Sequence, residues 1–161
     1  MILSFRYRFE AAHRFTDASS KCSTPHGHSW WVTLSLSHEA SAVDLNKNFA
    51  ADFKDLKTDW KNFIDEEMDH FFFANSEDPL IASLNTINPD LRIKKTPGDP
   101  TTEVLASLLF KKAESLFLKS SAINVDSILL EETPTNSVRV SKEDADLLLG
   151  RLNTPSNNWW S

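Results

Sequence analysis

The stretch Phe5-Arg6-Tyr7-Arg8-Phe9-Glu10-Ala11-Ala12-His13 decides the fold. Phe5, Tyr7, Phe9, Ala11 and His13 share one parity, and Arg6, Arg8 and Glu10 share the other. Successive side chains of an extended chain point to opposite faces. The alternation over residues 3–13 therefore predicts a strand with one buried face. Residues 28–37 repeat it, with His28, Trp30, Val32, Leu34 and Leu36 on one side and Ser29, Thr33, Ser35 and Ser37 on the other. Two such strands in succession predict an antiparallel pair. The connection from Arg14 to Pro25 is long for a hairpin, and long loops more often carry function.

From Phe49 the period changes. Phe49, Phe53, Leu56, Trp60 and Phe63 or Ile64 follow three-to-four spacing, which predicts an amphipathic helix with Asp52 near its start. Residues 76–99 are rich in Asn, Asp, Pro and Ser and read as a loop region. The run "GDPTTEVLASLLFKKAESLFLKS" opens a second helix, with Asp99 as its cap and Pro100 in its first turn. Short strands follow in "INVDSILLEET" and "NSVRVS", on either side of a Pro-Thr-Asn turn. "KEDADLLLGRLN" reads as a final helix ending at Gly150, and the tail "TPSNNWWS" fits no element. The order is ββααββ with a C-terminal addition, an α+β pattern. It divides into a main domain over 1–141 and an appended helix and polar, aromatic tail over 142–161.

The bulk composition is that of one ordinary globular domain: 161 residues, 40% hydrophobic and 25% charged. Seventeen basic against 23 acidic residues leave a formal charge of −6 and no basic stripe. That argues against general nucleic-acid or anionic-membrane binding, both of which need concentrated Lys and Arg. An anionic small molecule needs only a few local cations and stays open. The N-terminus alternates and carries charge early, so neither a signal peptide nor a spanning helix is expected. One cysteine cannot form an intramolecular disulfide, and a reducing cytoplasm is the expected compartment.

His13, His26 and His28 are three of the chain's five histidines, and Cys22 is its one cysteine. Residues i and i+2 of a strand face the same way, so His26 and His28 can converge. His13 has the parity of its own strand's apolar face. Three imidazoles at one end of a strand pair can close on a zinc ion and leave a fourth position open. The plainer reading satisfies each histidine separately by hydrogen bonds. Cys22 can be a metal ligand, a thiol activated by a nearby cation, or a small buried hydrophobe. Asp69-His70 follows the first helix. Adjacent residues do not easily pair through their side chains, yet both can serve one proton-transfer chain, or His70 can simply suit a helix C-terminus. By alternation Glu132 faces the side of Ile128 and Leu130, and a carboxylate there needs a partner. That partner is either a bidentate heterocycle or a strand-end Lys or Arg.

Taken in order, "FEAAHRF", "CSTPHGH", "DFKDLK", "MDH", "PTTE" and "EET" resemble the 6-pyruvoyl-tetrahydropterin synthase / 6-carboxytetrahydropterin synthase family over approximately residues 5–140. The three residues between Cys22 and His26 resemble its 6-carboxy, queuosine-pathway branch. The resemblance implies a tunnelling (T-) fold: a four-stranded antiparallel sheet with two helices on one face, trimers closing a barrel, and two trimers stacked as a homohexamer. It implies zinc on His13, His26 and His28, a catalytic thiol at Cys22, and a partner dyad of Asp69 and His70 that can come from a neighbouring chain. Glu132 would anchor a pterin ring, which the backbone of Thr101, Thr102 and Glu103 would help to hold. The implied substrate is 7,8-dihydroneopterin triphosphate, with the side chain cleaved in the carboxy branch. The pyruvoyl activity, a non-catalytic zinc- and pterin-binding protein and a structural zinc site are the competing expectations. Arg14 and Lys21 are the cations nearest the site in sequence.

Overall fold

The computed structural model describes residues 1–17, 19–46, 51–118 and 123–152. Phe49 and the tail from Asn153 onward, with Trp159 and Trp160, lie outside the described residues. The elements run β1 (Ile2–His13), β2 (His26–His38), α1 (Phe53–Phe63), β3 (Phe71–Asn75), α2 (Pro79–Ile87), β4 (Ile93–Thr96), α3 (Thr102–Phe117), β5 (Ile123–Thr133), β6 (Asn136–Val140) and α4 (Lys142–Arg151).

The two opening strands form the antiparallel pair that their alternation predicts. Their register runs from Ile2 opposite Ser37 to His13 opposite His26, and sets Ala11 opposite His28. The buried parity is the expected one: Phe5, Phe9, Ala11 and His13 on β1 and Trp30, Val32, Leu34 and Leu36 on β2. Onto that face come Trp60 and Phe63 of α1 and Leu105, Ala106, Leu109, Phe110 and Ala113 of α3. Val104 and Leu108 of the same α3 bury instead against Leu149 of α4. Wedged between sheet and α4, α3 has to be apolar nearly all round. Ser141 caps α4 through a reciprocal bond with Asp144, and across the helix contact Lys142 pairs with Glu114 of α3 and Lys111 of α3 with Asp146. The helix ends at Arg151, one residue past the expected Gly150.

The α+β class holds, but the four-stranded antiparallel sheet does not. The sheet is mixed and six-stranded, in the order β4-β3-β1-β2-β5-β6. β3 runs parallel to β1, and β4 runs parallel to β3. The three helices expected, the final one included, become four among the described residues, because residues 76–99 fold rather than loop. Their Asn, Asp and Pro punctuate a helix that the composition hides. Asp78 accepts a hydrogen bond from the Leu80 N–H at 2.9 Å, and Pro79 fills the first helical position, where a missing N–H costs nothing. Parallel strands need such a crossover, since a tight turn cannot join them.

The expected cap of α3 is also corrected. Thr101, not Asp99, is the N-cap, accepting from the Val104 N–H at 3.3 Å, and Pro100 lies before the helix. The Asp99 carboxylate is occupied elsewhere: it accepts from the Thr16 N–H at 2.9 Å, the Thr16 hydroxyl at 2.9 Å and the Asn75 amide at 3.1 Å. It thereby ties the 14–25 connection to the start of α3. Among the described residues no helix is long and apolar enough to cross a membrane.

Candidate functional site

The β1–β2 register brings the three histidines together. Their rings lie 4.6–5.2 Å apart between centroids, and one ligand nitrogen from each falls within 4.8 Å of the others. The ring orientations follow from outer partners. His13 Nδ1 lies 2.8 Å from the Pro100 carbonyl, and His26 Nδ1 lies 2.8 Å from the Thr24 carbonyl. A carbonyl only accepts, so each Nδ1 carries the proton and each Nε2 presents a lone pair. Orientation of a ligating imidazole by a second partner is the usual arrangement at metal sites.

The Nε2 atoms of His13 and His28 are buried and have no hydrogen-bond partner. Buried nitrogens are nearly always paired, so two orphans facing each other need a reason. Glu132 sharpens the point. Its Oε1 lies 3.6 Å from His13 Nε2 and 3.9 Å from His28 Nε2. Lone pairs and a carboxylate turned on one point repel unless a cation sits among them, so the donor set fits a divalent metal. It supplies three neutral nitrogens with a carboxylate at hand, a set suited to zinc among other ions. Glu132 points as its parity predicts, but toward the histidines rather than to a Lys or Arg.

The buried His13 ring and the half-buried His28 ring both favour the neutral, metal-ready form. His13 is held below the ordinary histidine range first by burial, with the Pro100 carbonyl opposing and His26 adding to the shift. His28 is lowered by burial, against Glu132, which favours its charged form. A lowered value means the folded chain binds fewer protons than the unfolded one. The resulting stability is present above about pH 6.5 and is lost as pH falls through the lowered values. Proton competition with a metal runs the same way. Metal is therefore expected to stay bound at about pH 6.5, the ordinary histidine value, and to leave below it. Chelator-competition titrations at stepped pH check this, and release complete by that pH would contradict it.

Asp69 and His70 do pair with each other, against the expectation from their adjacency. His70 Nδ1 donates to Asp69 Oδ2 at 2.6 Å. The geometry becomes possible because His70 takes a left-handed φ of 59°, which costs a residue with a β-carbon about 1–2 kcal/mol. Glu10 of β1 clamps both residues: its N–H donates to Asp69 Oδ1 at 2.7 Å, and its carbonyl accepts from the His70 N–H at 2.6 Å. Burial pushes the Asp69 carboxyl up, but the Glu10 N–H, His70 and Arg92 outweigh it and hold it below the usual range. The pair therefore offers an ionised carboxylate behind an exposed imidazole. That imidazole lines a groove of about 890 Å³ together with Gly27, His28, Phe72, Leu84 and Arg92.

Cys22 sits half-buried on a single 3-10 turn, Lys21–Ser23, outside the histidine cluster. Its N–H donates to Ser20 Oγ at 3.1 Å, and its carbonyl accepts from Phe15 N–H at 2.8 Å. Thr101 begins α3 immediately after the carbonyl that orients His13. Its own N–H goes to Asp99 and its hydroxyl takes that of Val104, which leaves the amides of Thr102 and Glu103 without an intrahelical partner. Arg14, one of the two cations near the site in sequence, is paired with the buried Asp78 carboxylate at 3.1 Å. The outer partners Pro100, Thr24 and Glu10 act through the backbone, which no side-chain motif reveals. Arg92 falls in the segment read as loop.

Imidazoles arranged to share one cation, with a carboxylate-oriented histidine on an adjoining groove, mark a candidate metal-dependent enzyme. The profile described as 6-pyruvoyl tetrahydropterin synthase matches residues 2–143, and the chain belongs to that family, one of lyases. The 6-carboxy-5,6,7,8-tetrahydropterin synthase of Haemophilus influenzae is 28% identical over 137 residues, covering 83% of this chain and 94% of the relative. A probable enzyme of the same name from Halobacterium salinarum is 26% identical, covering 79% of this chain and 77% of the relative. Among solved structures, an uncharacterized protein from Wolinella succinogenes superposes with a TM-score of 0.72 at 22% identity, over 88% of this chain and 98% of its own. The 6-pyruvoyl tetrahydropterin synthase of Caenorhabditis elegans does so with 0.63 at 24%, over 88% of this chain and 94% of its own. These two likenesses speak for the fold.

Proposed function

We propose that the chain is a zinc-dependent lyase that converts 7,8-dihydroneopterin triphosphate to 6-carboxy-5,6,7,8-tetrahydropterin, releasing acetaldehyde and triphosphate, in queuosine biosynthesis. The observation that carries the reading is the pair of buried, unpartnered imidazole nitrogens of His13 and His28, facing the Glu132 carboxylate. The names of the curated relatives and the short Cys22–His26 spacing favour the carboxy branch.

In this reading His13, His26 and His28 hold zinc. Bound zinc would polarise the substrate's side-chain oxygens and acidify the adjacent C–H. Cys22 then moves a proton on one face of the substrate. His70 serves the other, its Nδ1 fixed by Asp69 so that Nε2 exchanges the proton. Glu132 anchors the pterin ring through its N–H and exocyclic amine, turning from its place beside the histidines. The amides of Thr102 and Glu103, with Thr101 as their cap, add hydrogen bonds to the ring. Residues 1–141 form the catalytic T-fold domain and 142–161 an addition to it. The same reading makes the protein a cytoplasmic homo-oligomer built from trimers, whose sheets join edge to edge and so remove exposed strand edges.

The test is mass spectrometry of products from zinc-loaded protein given 7,8-dihydroneopterin triphosphate, with acetaldehyde assayed in parallel. 6-Carboxytetrahydropterin plus acetaldehyde is expected. The 6-pyruvoyl product would keep the mechanism and change the branch. No conversion despite bound zinc would leave a non-catalytic zinc- and pterin-binding protein.

A further inference from the structure

We propose that Arg92 is the positioning residue of the Asp69–His70 pair: its guanidinium locks the turn that holds His70 left-handed and aims the imidazole into the groove. The inference rests on the catalytic reading of that pair given above.

His70 is the one non-glycine residue with positive φ among the described residues. Such a conformation persists only where its surroundings fix it. Part of the fixing is visible on either side. α1 runs on into a π-helical turn, Ile64–Met68, closed by the Asp69 N–H on the Ile64 carbonyl at 3.0 Å. Glu10 takes the Asp69 carboxylate and the His70 N–H. The peptide group between Asp69 and His70 still has one free end, the Asp69 carbonyl. That carbonyl accepts from Arg92 Nη2 at 3.3 Å, and the same nitrogen donates to the Glu66 carbonyl at 2.8 Å.

The guanidinium carbon also lies over the ring of Phe71, 4.3 Å from its centroid. Arg92 thus grips the residue before His70, the residue after it and the end of the π-helical turn. Its own backbone is pinned by the Phe72 N–H on its carbonyl at 2.8 Å. Only arginine offers a planar cation that stacks on an aromatic face and bridges carbonyls at its edge; a lysine ammonium is a point charge that does neither as well. Arg92 enters just ahead of β4, in the segment whose composition reads as loop, and it lines the groove beside His70. It makes no bond to the imidazole. Its action on the ring is through the peptide that the ring hangs from.

The experiment compares wild type, R92K, R92A and H70A as full-length, zinc-loaded protein. Turnover of 7,8-dihydroneopterin triphosphate is read beside thermal stability, metal content and the ring-nitrogen NMR signals of His70. Both Arg92 variants are expected to lose about tenfold in kcat with KM changed less than about twofold, since a small misplacement of a catalytic group lowers the rate more than binding. Metal content should stay at wild-type level, and the His70 signals should move from the single Nδ1–H form toward mixed tautomers. Wild-type kcat together with an unchanged tautomer in both variants overturns the inference. If H70A itself turns over normally, the catalytic reading of the pair fails instead, while the tautomer still reports whether Arg92 orients the ring. Should R92A lose its fold, R92K, which keeps the charge and most of the stem, makes the comparison alone.

Discussion

His13→Ala is expected to empty the metal site, abolish turnover and lower stability at once. The ring is fully buried, and it joins two parts of the molecule, the end of β1 and the Pro100 carbonyl before α3. Removing it takes away one of the three clustered nitrogens that could hold a metal. Changing even an outer partner of a metal ligand weakens binding about 10–100-fold, and losing a ligand should cost more. Zinc in the purified variant should therefore fall to a small fraction of the wild-type content. The lost ring also strands a carbonyl that accepted a hydrogen bond, at about 1–3 kcal/mol for a group left unsatisfied. For a chain of this size that lowers the apo-protein Tm by roughly 2–4 °C for each kcal/mol. His26→Ala makes the control, because its ring is partly exposed and bonds only within its own loop, to Thr24. It should lose metal with little loss of apo stability. Elemental analysis and melts of both apo-proteins test this; a His13→Ala protein that still carries stoichiometric zinc would end the three-histidine assignment.

That convergence was legible because strand parity is a local rule. His13, His26 and His28 fall on the faces that alternation predicts, and a register that pairs His13 with His26 needs no long-range information beyond two strands in succession. Glu132 was placed on its face by the same rule. Two other features were not legible, for different physical reasons. Residues 76–99 carry the residue types of a loop, yet Asp78-Pro79 begins a helix that lets β4 return parallel to β3. Asp and Pro serve turns and helix starts alike, so composition cannot separate them. The Asp69–His70 bond depends on a left-handed φ, and that is imposed by Glu10 and Arg92 from elsewhere in the chain. A backbone conformation held by distant partners leaves no local mark in the sequence.

Cys22→Ala is expected to separate catalysis from metal binding. The backbone at Cys22 is held without help from the thiol, by Ser20 Oγ on its N–H and by the Phe15 N–H on its carbonyl. Among the described residues the thiol has no hydrogen-bond partner and stands outside the cluster of histidine nitrogens. Truncating it should leave the turn, the metal content and the pterin affinity near wild type. A proton-transfer group, by contrast, contributes about 10²–10⁴-fold to a rate, and turnover should fall by that factor. Cys22→Ser sharpens the argument, since a hydroxyl fills the same space but gives up its proton far less readily than a thiol. It should resemble alanine in rate and wild type in affinity. If Cys22 were a fourth metal ligand, both variants would bind zinc more weakly, and the visible spectrum of the cobalt-substituted protein would change with them. Full turnover in either variant would remove the thiol from the chemistry and shift the proton transfer to His70 and the carboxylates beside it.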